Sequence, residues 1–129
     1  MDAFTTPGAF SWSELTTADP AAAAEFYGAL FGWTFDAMQM PDGVYRVIKA
    51  GDTAVGGIMT TPPAALGMPP MWGCYVTVAD VDATAKRCVE LGGKVLVGPQ
   101  DVPGVGRFAV ILDKQGAALN VITYAPQPG

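Results

Sequence analysis

Histidine is absent from all 129 residues. That removes the commonest general base and the commonest catalytic metal ligand together, and with them any Ser–His–Asp relay. Cysteine occurs twice, as Cys74 and Cys88, without C-x-x-C spacing. The pair reads as two buried thiols rather than a disulfide or a metal site. Basic residues number 7 against 12 acidic ones, a net charge of −5, so the chain lacks the basic patch that a nucleic-acid partner requires. Only 15% of residues are charged and 50% are hydrophobic, which describes a globular chain rather than a disordered one. No run of about 18 apolar residues is present, so no membrane span is expected. The opening MDAFTTPGAF carries an acid and no base and does not read as a secretory signal, so a cytoplasmic protein is expected. The length fits one domain with a substantial core.

What the chain does have is an internal repeat. Residues 14–60 and 75–121 match at an offset of 61. Thr16/Thr77, Ala18/Ala79, Asp19/Asp80, Ala22/Ala83, Ala24/Ala85, Leu30/Leu91 and Gly32/Gly93 align without a gap, and Gly43/Gly104, Val44/Val105, Arg46/Arg107 and Asp52/Asp113 resume the match. Chance gives roughly one or two identities per 18-residue window, so this is a supersecondary module used twice.

Module one covers about 9–60, a proline-rich linker 60–70, and module two about 71–124 of a single domain. In FSWSELTT, alternation puts Phe10, Trp12, Glu14 and Thr16 on one face and Ser11, Ser13 and Leu15 on the other. Asp19 caps a helix with Pro20 at its first position and Gly32 at its end. Its inward stripe is expected to be Ala24, Tyr27, Leu30 and Phe31. Strands follow at about 33–39, 44–50 and 53–60, with turns at PDG and AGD. TTPPAALGMPP carries four prolines and reads as a stiff spacer. Module two repeats the plan. MWGCYVTV is a strand whose Met71, Gly73, Tyr75 and Thr77 share the face equivalent to Phe10 and Trp12, leaving Trp72 toward the second helix. That helix runs 80–91 behind the cap Asp80, with a stripe of Val81, Ala85, Cys88 and Leu91. Strands follow at about 94–98, 106–112 and 118–124, with GPQDVPGVG as a long loop and a loose APQPG tail. Each module is β-α-β-β-β, an α+β arrangement in which one sheet face lies under the helix and the other must be covered by the second module, a subunit or a ligand.

WSELTTADPAAAAEFYGALFGW and the closing DKQGAALNVI resemble the glyoxalase/bleomycin-resistance/dioxygenase group, the vicinal oxygen chelate superfamily. The likeness covers about 10–124 and is greatest to actinobacterial glyoxalase-like and hydroxylase-like proteins. It implies two tandem βαβββ modules forming a curved mixed sheet around a groove, and a homodimer. Enzymes of this superfamily hold one divalent metal with His and Glu from the first and last strands of the modules. The resemblance maps those positions to Trp12, Gly57, Gly73 and Asn120. None is an ordinary ligand for a transition metal except a weak amide oxygen at Asn120. A hard-cation site built on Glu14 lacks a second carboxylate at a mapped position. The expectation is no metal and no cofactor.

Glu14 and its repeat partner Tyr75 are the candidate catalytic pair, carboxylate as base and phenol as oxyanion donor; the competing role for Glu14 is a structural or ligand-orienting hydrogen bond. Phe10, Trp12, Met59, Met71, Tyr75 and Asn120 are the candidate ligand-binding residues. A flat indole in a metal ligand's place suits stacking on an aromatic or cationic ligand, or simply plugs the groove. Arg46 and Arg107 form either an anion clamp or outer-face ion pairs. Three functions fit these residues: a metal-free protein that binds a small apolar or aromatic molecule, a cofactor-free lyase, isomerase or hydroxylase-like enzyme using Glu14, and a structural dimer with its groove closed by Trp12.

Overall fold

Asp19 and Asp80 start the two helices as the repeat requires. Each carboxylate accepts a hydrogen bond from the backbone N–H three residues on, Ala22 and Ala83, at 3.0 Å. In the computed structural model, which describes residues 1–40, 43–62 and 67–126, the elements run β1 (Phe10–Thr17), α1 (Pro20–Phe31), β2 (Thr34–Met40), β3 (Gly43–Ala50), β4 (Thr53–Thr60), β5 (Met71–Thr77), α2 (Val81–Glu90), β6 (Lys94–Val102), β7 (Gly106–Leu112) and β8 (Ala118–Tyr124). The expected turn at 41–42, the middle of the linker and the end of the tail lie outside the described residues.

The chain divides into two compact units, Trp12–Gly73, and Met1–Ser11 with Cys74–Gly129. The boundaries fall inside β1 and β5, because the first residues lace onto β5. Gly8 N–H donates to Thr77 O and Thr77 N–H to Ala9 O, while the buried Thr77 hydroxyl donates to Ala3 O at 2.6 Å. Both units share one plan, a four-stranded mixed sheet with one helix on one face, of the α+β class. In the unit Trp12–Gly73 the strand order is β2-β3-β4-β1; in the other it is β5-β8-β7-β6. Within the units the pairs β1/β4 and β5/β8 are parallel, and β2/β3, β3/β4, β6/β7 and β7/β8 are antiparallel.

The first core is Leu15, Ile48 and Ile58, covered from α1 by Ala23, Ala24 and Tyr27. The second is Val81, Ala109 and Val121, flanked by Val78 and Ile111. Gly32 closes α1 in the left-handed region at φ 72°, its N–H bonded to Gly28 O, as only a residue without a β-carbon does at low cost.

Several expectations are corrected. Leu30 and Phe31 do not face the core; each is 58% exposed. Leu91 is likewise exposed, because α2 ends at Glu90. Trp72 packs on the first helix, with its ring 5.4 Å from that of Tyr27. Cys74 is an exposed thiol and Cys88 a half-buried one. GPQDVPGVG is not all loop, since β6 continues to Val102. Pro99 is tolerated there because β6 ends its unit's strand order, and the register shifts on either side of Val97 release the ladder hydrogen bonds that proline cannot make.

Candidate functional site

The sheet face opposite α1 in the unit Trp12–Gly73 carries the candidate site. Alternation in β1 sends Leu15 to the core, so Trp12, Glu14 and Thr16 take the other side. Register places Glu14 beside Gly57, Gly57 beside Val47, and Thr16 beside Met59. Tyr45, two residues before Val47 on β3, shares that face.

These residues form a directional hydrogen-bond chain. Trp12 Nε1–H donates to the Tyr45 hydroxyl at 2.9 Å, and that hydroxyl donates to Glu14 Oε2 at 2.8 Å. All three side chains are half-buried. The acceptor is a carboxylate, which makes the second bond charge-assisted and the stronger of the two. Gly57 is the reason that Tyr45 fits. A β-carbon at Gly57 would collide with the Tyr45 hydroxyl and ring, so the phenol occupies the space that any side chain at 57 would need.

That geometry tests the mapped metal positions. Trp12 offers only an N–H donor, Gly57 has no side chain and its space is taken, and Gly73 has none either. Glu14 already accepts from Tyr45, and Asp36, which register puts on the same face, pairs with Lys49 at 3.5 Å. Among the described residues no three His, Cys, Asp or Glu side chains cluster closely enough to share a cation. Among the described residues, Trp12, Gly57 and Gly73 offer no side-chain ligand for a divalent metal.

The other predicted residues are dispersed. Met59 is half-buried beside Thr16, and Met71, 45% exposed, accepts a long 3.5 Å hydrogen bond at its carbonyl from the Thr16 hydroxyl. Phe10, Tyr75 and Asn120 belong to the other unit, where Tyr75 and Asn120 are direct register partners. Phe10 is exposed. The hydroxyl on Glu14 within its own unit is Tyr45, which the sequence reading passed over. The available signal was the repeat itself: Gly43-Val44-Tyr45-Arg46 aligns with Gly104-Val105-Gly106-Arg107, so Tyr45 is a large residue inserted where the other module has glycine.

Arg107 is not a ligand clamp. Its Nε and Nη2 donate to the two oxygens of Asp82 at 2.8 and 2.9 Å, and Nη1 donates to Asp101 at 3.1 Å. This bidentate pairing raises the guanidinium's affinity for its proton and holds Asp82 below the ordinary carboxylate value. Arg46 sits on the core side of its sheet, opposite Ile58. Tyr124 is half-buried, which pushes its phenol up, and a 2.6 Å hydrogen bond with Ser11 partly offsets that shift.

The glyoxalase/bleomycin resistance protein/dioxygenase superfamily model matches residues 9–121. The chain is 46% identical over 121 residues to CFP32 of Mycobacterium tuberculosis, named as a candidate glyoxylase, a match covering 93% of this chain and 46% of that protein. It is 38% identical over 128 residues to the anthracycline biosynthesis protein DnrV of Streptomyces peucetius, with 89% and 46% covered. The chain thus spans about half the length of the curated relatives it matches. In fold it is similar to methylmalonyl-CoA epimerase from Mycobacterium tuberculosis, with a TM-score of 0.71, 17% identity and coverage of 95% and 92%. No helix among the described residues is long and apolar enough to cross a membrane.

Proposed function

The chain belongs to the glyoxalase/bleomycin resistance protein/dioxygenase superfamily, and on that premise we propose that it binds a small apolar or aromatic molecule without a metal ion. The observation that carries this reading is the anchored indole. Trp12 stands at a mapped ligand position, and its N–H is fixed on Tyr45, so the ring is pre-set as a stacking surface and loses little freedom when a ligand arrives. The thioether side chains of Met59 and Met71 in the same unit supply adaptable apolar contacts. The 38% identity to a protein named for anthracycline biosynthesis supports a fused-ring aromatic as the ligand class. In this reading the chain works in the cytoplasm, as a homodimer and with no cofactor.

A thermal-shift titration tests the proposal. An anthracycline aglycone at about 100 times its Kd stabilises the protein by about 2.7 kcal/mol, a rise of several degrees in Tm. Trp12→Ala removes the shift while leaving the far-UV spectrum intact. No stabilisation by any fused-ring aromatic refutes the reading.

A second reading, a cofactor-free lyase, isomerase or hydroxylase-like enzyme, is favoured by one distance, the 2.8 Å bond from Tyr45 to Glu14. Glu14 then accepts a proton from the ligand, and Tyr45 holds its carboxylate in place. Glu14→Gln abolishes turnover and spares binding; equal loss of both contradicts this role.

A further inference from the structure

The two helices of the repeat end differently. The last turn of α2 carries Arg87, the kind of residue that the negative end of a helix dipole attracts. The last turn of α1 has no basic residue, and Phe26 stands at the position equivalent to Arg87. What gathers at that end of α1 is aromatic. Tyr27 and Phe31, one turn apart on the helix, Trp33 just beyond it and Trp72 from β5 line a cavity of about 430 Å³. Its floor is the register pair Ile48 and Gly56. All six residues belong to the unit Trp12–Gly73, and among the described residues none that lines the cavity is charged.

The fold does not demand these rings. At the offset of 61, Tyr27, Phe31 and Trp33 correspond to Cys88, Gly92 and Lys94, so the second module lays an equivalent helix on an equivalent sheet without them. Nor do the rings close over the sheet, since Phe31 is 58% and Trp72 41% exposed. They form a corner. Trp72 stands at 78° to Tyr27 and 74° to Trp33, whereas Tyr27 and Phe31 lie within 12° of parallel. The Trp72 indole N–H donates to the Tyr27 hydroxyl at 3.3 Å, which ties the two walls together. Neighbouring ring centroids are 5.0–6.2 Å apart. A small cation seated in the corner therefore comes within about 6 Å of several centroids at once, the range in which π faces attract a cation.

We propose that this cavity is a second binding site, for a small organic cation of the quaternary ammonium class. The π faces and the unbalanced end of the helix dipole choose a cation over a neutral ligand, and the net charge of −5 does not oppose it. The apolar walls choose a methylated head over a bare ion. Ser13 and Tyr27 supply the polar side-chain atoms of the lining, too few to replace the hydration shell that a metal or a simple ammonium ion gives up. N-methyl groups instead bring apolar surface to apolar walls. The volume falls in the range of about 300–1,000 Å³ typical of small-molecule sites. This site lies on the sheet face opposite Trp12 and does not depend on the function proposed for that face.

A titration of the full chain with choline, followed by the three indole N–H signals in a proton–nitrogen NMR spectrum, tests the inference. Choline binds in about the millimolar range, moving the signals of Trp33 and Trp72 and leaving that of Trp12 in place. Its uncharged isostere 3,3-dimethylbutan-1-ol, with carbon in place of the ammonium nitrogen, binds about fivefold or more weakly. Trp72→Leu and Phe31→Leu, both at exposed positions and checked for folding by far-UV circular dichroism, each weaken choline binding about fivefold. No response to choline at about 100 times the expected Kd overturns the inference. So does equal binding of the isostere, which would make the cavity merely apolar, or a response confined to Trp12, which would put the cation on the other face.

Discussion

Tyr45 and Gly57 are a matched pair, and neither makes sense without the other. The phenol reaches Trp12 and Glu14 only because residue 57 has no side chain. Gly57→Ala therefore expels the ring and costs about 1–3 kcal/mol in urea denaturation. Tyr45→Ala on its own costs about 3–5 kcal/mol as an aromatic truncation. The double variant is less destabilised than the sum of the two, because once the ring is gone a methyl group at 57 meets no obstacle. Additive costs would mean that the two residues do not share the space. Tyr124 sets a second residue-scale effect. Burial raises its folded pKa above the ordinary 10.0, so the native state holds the phenolic proton more tightly than the unfolded chain. That stability is complete below about pH 10 and is lost as pH rises through the folded value. Tyr124→Phe flattens this alkaline limb of the stability curve, as followed by chemical denaturation between pH 8 and about 11. Asp82 works at the other end, because its pairing with Arg107 lowers its pKa. Its contribution is present above the ordinary value of 3.8 and fades as pH falls below it.

The helices show what the sequence made legible and what it did not. Both caps were readable, because Asp followed by a helical run has one local solution. Asp19→Ala and Asp80→Ala each lose a 3.0 Å cap bond and should each cost about 0.5–2 kcal/mol in denaturant melts. The strands β4, β7 and β8 fall at the bounds that the turn residues and the repeated plan suggest. The facing of α1 did not, because a helix with eleven uncharged positions out of twelve has no polar side to orient it. Periodicity chose Leu30 and Phe31, whereas packing against Leu15, Ile48 and Ile58 uses Ala23, Ala24 and Tyr27. The extension of β6 through Pro99 was hidden for a related reason, since a proline in a strand is permitted only where topology leaves its nitrogen unpaired, and topology is not local.

For the molecule as a whole, the repeat and its family motifs carried the fold, and the absence of histidine carried the metal argument. The Tyr45–Glu14 contact joins residues 31 positions apart, and no motif encodes it. The central claim is the proposal that the Trp12–Tyr45–Glu14 chain, built on a position to which the family resemblance maps a metal ligand, serves ligand binding without a metal. Isothermal titration of an anthracycline aglycone into the protein, in EDTA and again with added divalent cation, tests it most directly. The account predicts the same Kd in both buffers and loss of binding in Trp12→Ala. Binding that EDTA abolishes, or that Trp12→Ala leaves untouched, would contradict it.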